Sequence, residues 1–589
     1  MPEDRLVVAI ARFTPISSGA EEEADNFPHR VEQKLREKQH EGLPLEIKRL
    51  SIKVSGDNEQ ERRDSAMSIG ISRKGSAHIV LWGEVRKDEG ELYVKPRLTV
   101  TGRLGKAHIE ETELKEFTSY DPKHIKFKER LANEITDIVT LVYGFAYYKV
   151  GNWNRAIEIM DHVHSSCGYL YKGLSLIKRS HRVLSPQQDL RTAIETFEKT
   201  LGAVQWNLTT RADSLTWDAY LNRANALALL GSYSQPKEAL VYLQESVKSY
   251  RAALQVYTNA EFPQDRAMTK ANLGTALDVL GTLIDGKEGI KFIQESEKSY
   301  RDALQVYTKA EFPQDWAMTQ ANLGSALDDL GSRLDSKEGI KFIQESEKSY
   351  RDDLQVYTKA EFAQQWAMIQ ANLGITLTHL GIRMGAGEGI KLLRGAVEVH
   401  KAALQVYTKA EFPQQWAETN TNLGSPLDYL GIRIDGEEGI KLIRESVKAY
   451  QDALQVYTKA GFPQDWAMTK TNLGIALTNL GIRLGVSEGI WLLREAVEAH
   501  RDALQVRTRV ELPLKWARTQ TNLGIALIKL GFRIRGEEGV LYLNESIVCF
   551  DNALSIYDST SYPESYREIL DLKSKVKELI RVLESIRRR

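Results

Sequence analysis

Along most of the chain apolar residues recur at helical spacing, and the whole pattern returns every 50 residues. Asn-Leu-Gly stands at 272–274, 322–324, 372–374, 422–424, 472–474 and 522–524, and Leu-Gln-Val at 254–256, 304–306, 354–356, 404–406, 454–456 and 504–506. Residues 251–300 and 301–350 differ at only ten positions. Such self-similarity predicts a solenoid, because one short repeat cannot bury its own apolar stripe and stacked repeats can.

Each repeat predicts two helices. In the copy around Asn322, Pro313 suits a first helical turn, where its missing N–H costs nothing. Ala317, Leu323, Gly324, Leu327 and Leu330 follow at helical spacing. Gly331 and Asp335 break the pattern, and Asp335 with Glu338 reads as a capping box. Gly385, Gly485 and Arg535 replace that Asp in other copies. Ile340, Ile343, Tyr350, Leu354 and Tyr357 make a second amphipathic stretch. At about 20 residues, each helix spans ~30 Å. Residues 126–250 read as irregular helical repeats: one around Tyr147, Gly151 and Ala156, one with Gly173, Ala193 and Phe197, and a degenerate copy with Asn222. Six regular repeats fill 251–560. Residues 561–589 read as a capping helix, apolar on one face (Ile569, Leu572, Val576, Leu579, Leu583, Ile586) and charged on the other.

Residues 1–125 do not repeat. Strands are expected at Leu6–Phe13, Leu45–Val54 and Ile79–Trp82, and a helix over 21–40 with Phe27, Val31 and Leu35 one turn apart. A second helix is expected over 58–74, and a hairpin turn at 88–90 leads to a return strand over 92–100. The order β-α-β-α-β-β predicts a small α/β domain.

The repeats carry a Trp at the start of the first helix, then Leu-Gly, then Leu. An aromatic and a small residue follow in the second helix, as in Tyr300 with Ala303 and Tyr450 with Ala453. On these residues they resemble the tetratricopeptide repeat family over roughly 133–560, in a 50-residue form longer than the family's usual ~34. The resemblance implies a mainly α fold: a right-handed α-solenoid of helix pairs, preceded by the α/β domain, whose first helices line a concave groove. Arrays with the Phe-Pro-Gln-x-Trp-Ala pattern are similar to those of bacterial multidomain signalling proteins, where they join caspase-like or nucleotide-binding effectors. The Leu81-Trp82-Gly83-Glu84 strand ahead of a hairpin weakly resembles the domain that opens TolB-like proteins, which implies docking or assembly.

Composition narrows the function. Lys plus Arg is 79 against 80 Asp plus Glu, so wholesale nucleic-acid binding is not expected. Two cysteines in 589 residues point to a reducing compartment, and no apolar run approaches the ~20 residues of a membrane span. The acidic start Met1-Pro2-Glu3-Asp4 is unlike a signal peptide, so a cytoplasmic protein is expected. Gly286-Lys287-Glu288-Gly289 lacks the spacing of a phosphate loop, and no nucleophile elbow occurs. His162, His164 and Cys167 lack a second nearby Cys and read as a surface or packing cluster, not a metal site. Cys549 reads as a core thiol replacing an aromatic residue. No catalytic residue, cofactor or metal is expected.

The repeat positions carry the candidate site. Asn272, Asn322, Asn372, Asn422, Asn472 and Asn522 form a constant column. Eleven residues on stand Arg333, Arg383, Arg433, Arg483 and Arg533, with Leu283 breaking the row. Eleven residues is about three turns, so Asn and Arg share a helix face. Between them the residue changes in every copy: Val279, Asp329, His379, Tyr429, Asn479, Lys529. A core position would not accept this series, because an unpaired buried charge is costly, so the face is expected to be wet. Asn suits an extended peptide backbone, Arg can fork onto a carboxylate or phosphate, and the varied column would read side chains. The competing reading has Asn bonded to a neighbouring helix and Arg paired with acids such as Glu338 or Glu438. Trp316, Trp366, Trp416, Trp466 and Trp516, and Tyr257, Tyr307, Tyr357, Tyr407 and Tyr457, are expected to pack between repeats.

The expected protein is a non-enzymatic adaptor or scaffold that binds a protein or peptide in the groove. A separate effector, such as a caspase-like protease in a bacterial signalling or defence system, is the partner the resemblance implies. Two alternatives stay open: an enzyme with its site in the α/β domain, and a self-assembling structural protein.

Overall fold

The structure, a computed structural model, describes residues 6–12, 14–15, 21–40, 45–53, 79–88, 91–100, 128–149, 151–183, 185–204, 212–256, 262–284, 286–334, 336–534, 536–560 and 562–588. The chain divides into two compact units, residues 1–299 and 300–589.

In the first unit β1 (Leu6–Arg12) lies parallel to both β3 (Leu45–Lys53) and β4 (Ile79–Asp88). The short β2 (Thr14–Pro15) continues along β4. β5 (Glu91–Val100) returns antiparallel to β4, with Asp88 opposite Glu91 and Ile79 opposite Val100. Helix α1 (Glu21–His40) turns Phe27, Val31 and Leu35 inward, and all three are fully buried, as are Val8, Ile10 and Val80 of the strands. The strand expected to end at Trp82 runs on to Asp88, because its hairpin partner pairs along the whole length. The helix expected over 58–74 and the turn residues 89 and 90 lie outside the described residues.

Helices α2 (Lys128–Lys149), α3 (Trp153–Met160), α4 (Ser166–Ser180), α5 (Gln187–Val204), α6 (Ala212–Ser232), α7 (Pro236–Val256) and α8 (Pro263–Leu283) follow, each packed on the next. Gly173 of α4 leaves room for Phe197 of α5, whose ring lies 2.6 Å from where a Cβ would stand. His162 and His164 sit in the turn before α4, and Cys167 is half-buried in its first turn. Among the described residues no group of His, Cys, Asp or Glu is arranged to hold a metal ion.

The boundary between the units falls within α9 (Gly286–Leu304). Four regular helix pairs follow it: α10 (Pro313–Arg333) with α11 (Lys337–Asp353), α12 (Ala363–Arg383) with α13 (Ala386–Ala403), α14 (Pro413–Arg433) with α15 (Gly436–Ala453), and α16 (Pro463–Arg483) with α17 (Val486–Leu504). A fifth, α18 (Pro513–Ile534) with α19 (Gly536–Leu554), precedes the closing helix α20 (Pro563–Arg588). Proline opens α10, α14 and α16 at the first helical position. Each first helix packs on its own second helix and each second helix on the next repeat. The core therefore runs on through the repeats: Ile443, Leu473, Leu477, Leu493 and Leu527 belong to one cluster. Burying one such side chain stabilises the stack by about 1.5–3 kcal/mol. The described helices of this unit form a tetratricopeptide-like α-solenoid.

The glycine of Asn-Leu-Gly has a packing cause. A Cβ on Gly374, Gly424 or Gly474 would stand 2.5 Å from His400, 2.5 Å from Tyr450 or 2.7 Å from His500. The second helix thus presses an aromatic ring onto the backbone of the first. Tyr357, Tyr407 and Tyr457 are buried, and their hydroxyls donate to the carbonyls of Gln314 (3.1 Å), Gln364 (3.0 Å) and Gln414 (3.4 Å). Tyr257 lies outside the described residues. The tryptophans are half-buried at the rim of the core: Trp416 and Trp466 pack against the cluster of Ala417, Ala453 and Tyr457. Lys309, Lys359 and Lys409 lie over the rings of Trp316, Trp366 and Trp416 at 5.2–5.7 Å.

Two local expectations change. Asp335 lies outside the described residues, and the N-cap of α11 is Ser336, whose hydroxyl accepts from the Gly339 N–H at 3.3 Å. Asp435 caps α15 by backbone position only, its side chain making no capping bond. Cys549 is a buried thiol, pushed up to about 12 by burial, but it stands in the column of Ser349, Val399, Ala449 and Ala499. Phe550 holds the aromatic position. Helix α20 covers α19 with Ile569, Val576 and Ile580 buried, while Leu583 faces outward. No described helix is long and apolar enough to cross a membrane.

Candidate functional site

Within the second unit the first helices of successive repeats pack along one another: α10 with α12, α12 with α14, α14 with α16, α16 with α18. The second helices are bridged by long ion pairs, Arg394–Glu438 at 2.7 Å, Arg444–Glu488 at 3.3 Å and Arg494–Glu538 at 3.0 Å. The side on which backbones come together is the inner side of a curve, so the first helices line the concave face of this unit. Positions 318, 322, 325, 329 and 332 share one face of α10 at i, i+4, i+7, i+11 and i+14. The corresponding positions of α12, α14, α16 and α18 extend that face into five parallel rows.

The Asn row lies on this face. Asn322, Asn372, Asn422, Asn472 and Asn522 are all half-buried. Among the described residues the amides of Asn322, Asn372, Asn422 and Asn472 meet no hydrogen-bond partner. The Asn522 Nδ2 is buried and equally unmatched. In the first unit Asn272 is half-buried beside an exposed Val279, whereas Asn222 spends its amide on its own helix, donating to the Asp218 carbonyl at 2.8 Å.

The Arg row does something else. Arg383 reaches back one repeat and donates from Nη1 to the Gly331 carbonyl at 2.6 Å and from Nη2 to the Ser332 carbonyl at 2.7 Å. Arg433 does the same to Gly381 (2.6 Å) and Ile382 (2.8 Å). Arg483 reaches Ile432 (2.7 Å) and Ile434 (2.9 Å), and Arg533 reaches Ile482 (2.7 Å) and Leu484 (2.8 Å). These are the terminal carbonyls of the preceding first helix, which have no partner inside the helix and carry its negative dipole end. Arg383, Arg433, Arg483 and Arg533 are therefore staples between repeats, and neither the expected fork onto a ligand nor pairing with acidic side chains describes them. Glu438 pairs with Arg394. Arg333 is half-buried in the last turn of α10.

The staple explains a second constant glycine. A Cβ on Gly389, Gly439 or Gly489 would stand 2.2, 2.7 or 2.2 Å from the guanidinium of Arg433, Arg483 or Arg533. Where Leu283 replaces the Arg, the matching glycine is gone as well, since Ala239 occupies its place. There the end of α6 is closed locally, with the Ser234 hydroxyl donating to the Leu230 carbonyl at 2.8 Å.

The varied row is partly wet. Tyr429 and Lys529 are exposed; Asp329, His379 and Asn479 are half-buried. His379 Nδ1 lies 2.8 Å from the Asp328 carboxylate and Asn479 donates to Asp428 at 2.9 Å, each across a repeat boundary. Burial, the largest single influence, lowers the His379 pKa, but the bond to Asp328 and the charges of Asp328 and Asp329 together outweigh it and the net shift is upward. Burial, then the charge of Asp328, pushes Asp329 up to about 6, and burial pushes Asp428 up to about 7 against the bond from Asn479. A period of two repeats underlies this pattern. Asp328 and Asp428 alternate with Thr378 and Thr478, Tyr350 and Tyr450 with His400 and His500, and Ser325 and Ser425 with Ile375 and Ile475. That doubled period is legible in the sequence when alternate copies are aligned.

Three apolar rows of the groove were not anticipated, the first being the exposed Met318, Met368 and Met468. Ile375, Ile475 and Ile525 are half-buried on the Asn face, and Ile432, Ile482 and Phe532 are exposed beyond them at 43, 43 and 54%. Periodicity alone assigns such residues to a core; only the packing leaves them open. A separate small pocket, lined by Arg301, Gln305, Gln320, Glu345, Lys348 and Asp352, has its charges internally answered by the Arg301–Glu345 pair at 2.8 Å.

No family model matches the chain, and no curated protein matches it. Among solved structures the apo form of RapI is 14% identical, over 75% of this chain and 98% of that one, with a TM-score of 0.40. A Rap protein complexed with competence and sporulation factor is 14% identical over 76% and 99%, with a TM-score of 0.33. A signal transduction ATPase with a tetratricopeptide repeat sensor from Pyrococcus horikoshii is 9% identical over 98% and 95%, with a TM-score of 0.31. At such scores these likenesses say nothing about what this chain binds.

Proposed function

We propose that the protein is an adaptor whose concave face, lined by α10, α12, α14, α16 and α18, binds an extended segment of a protein partner. The observation that carries this reading is the row of half-buried Asn amides without partners. A half-buried amide left unmatched costs stability unless water or a ligand answers it. Asn offers one donor and one acceptor side by side, which matches the alternation of a peptide backbone. The flanking apolar rows supply area for side chains, and exposed apolar surface of this kind commonly marks an interaction site. The Arg row contributes by holding the rows in register, not by touching the partner. Control of a separate effector, such as a caspase-like protease in a bacterial signalling or defence system, fits an array with no catalytic constellation of its own among the described residues.

The test is the triple variant Asn372→Ala, Asn422→Ala, Asn472→Ala. Partners recovered with the wild-type chain are identified by mass spectrometry, and binding is then measured with the purified partner. The reading expects at least a tenfold loss of affinity with helix content and melting unchanged. Unaltered affinity, or collapse of the fold, would refute it.

A further inference from the structure

The five first helices of the second unit do not carry equal charge. Helix α10 has three acids, Asp315, Asp328 and Asp329, against one base, Arg333. Helix α18 has no acid and four bases, Lys515, Arg518, Lys529 and Arg533. Arg533 is consumed by its staple. Arg518 and Lys529 are exposed, share the Asn522 face at i, i+4 and i+11, and pair with no acid among the described residues. Between them on that face stand Ile525 and, one turn further, the exposed Phe532. At the opposite end the exposed Asp315 and the half-buried Asp329 lie on the Asn322 face of α10, while Asp328 is buried against His379.

Resting on the docking role given above, we propose that the groove is polar along its length and takes an aliphatic peptide segment in one direction only, acidic end on α18 and basic end on α10. Neighbouring helix axes lie about 10 Å apart, so five first helices span ~40 Å, the reach of about 12 extended residues. Complementary charge at the two ends sets register and suppresses the reversed orientation, because a like-charge juxtaposition is penalised. The apolar rows carry area without direction, and Glu418, exposed on the Asn422 face of α14, extends the acidic half of the groove from α10 to its middle. A peptide fits better than a nucleic acid, since a polyanion long enough to cover the face would meet Asp315, Asp329 and Glu418.

The experiment uses the full chain and three immobilised libraries of 12-residue peptides with randomised aliphatic centres. One library is acidic at one end and basic at the other, one is acidic at both ends, and one is basic at both. The first should be retained at least tenfold over the others. Arg518→Glu with Lys529→Glu, both at exposed positions, should shift retention to the doubly basic library. A photo-crosslinker at the acidic end should label α18 and one at the basic end α10. Equal retention of the three libraries, reversed crosslinks, or tighter binding of a single-stranded oligonucleotide would overturn the polarity while leaving a docking groove in place. Retention of no library would sink the docking role itself.

Discussion

Arg433 places its guanidinium on the carbonyl of Gly381, 52 residues earlier, at 2.6 Å. The contact joins the end of one first helix to the end of the next and recurs at Arg383, Arg483 and Arg533. It converts a row that looks like a ligand clamp into part of the scaffold.

Replacing Arg433 by Ala should therefore destabilise the array by roughly 2–3 kcal/mol, the scale of charge-assisted hydrogen bonds lost from helix carbonyls. Hydrogen exchange should show the loss concentrated at the end of α12. Arg433→Lys should recover little, because a single ammonium cannot fork onto two carbonyls. Weakened partner binding with unchanged exchange would show that the residue faces the ligand after all.

The missing staple at Leu283 can be installed. Leu283→Arg combined with Ala239→Gly should stabilise the first unit by about 1–2 kcal/mol, on the same energy scale. Leu283→Arg alone should do less, because the Ala239 methyl stands where the other repeats keep open space. Denaturant midpoints of the two single variants and the double variant give the coupling directly.

Asp353 occupies a column that is otherwise Ala303, Ala403, Ala453, Ala503 and Ala553. Its side chain is fully buried and neither oxygen has a partner. Burial, then the charge of Asp352, pushes its pKa up to about 9, so it is folded in its neutral form at pH 7. The unfolded chain ionises near pH 4 and the folded chain does not, so this residue lowers stability progressively from about pH 4 to about pH 9. Asp353→Ala should raise stability by about 1–3 kcal/mol at pH 7 and by less at pH 4. A destabilising substitution, or one whose effect is flat with pH, would contradict this burial.

His400 and His500 are also fully buried, with both ring nitrogens unmatched, and burial lowers each to about 3. The unfolded rings take up protons near pH 6.5, so stability should fall as pH drops from about 6.5 towards 3. The double variant His400→Phe, His500→Phe should blunt that fall without altering stability much at pH 8. Phe550 already packs against Gly524 beside Ile525, as His400 does against Gly374 beside Ile375. Thermal melts across pH 4–8 decide it.

The helix pairs, the prolines that open them and the constant Asn, Arg and Gly columns were all written in a 50-residue period, because each repeat meets nearly the same neighbours and so keeps the same residues. The period could not say what each column touches. Asn and Arg share a face and differ by only eleven positions, yet the Asn amides stay open while the guanidiniums turn back onto carbonyls 48–52 residues away in sequence. Distances between helices, which no spacing along one helix contains, decide that difference. The apolar rows ending in Ile432, Ile482 and Phe532 show the same limit. Hydrophobicity marks a residue as fit for burial, but the curvature of the stack determines which of two apolar faces the neighbouring repeat covers and which it leaves to a partner.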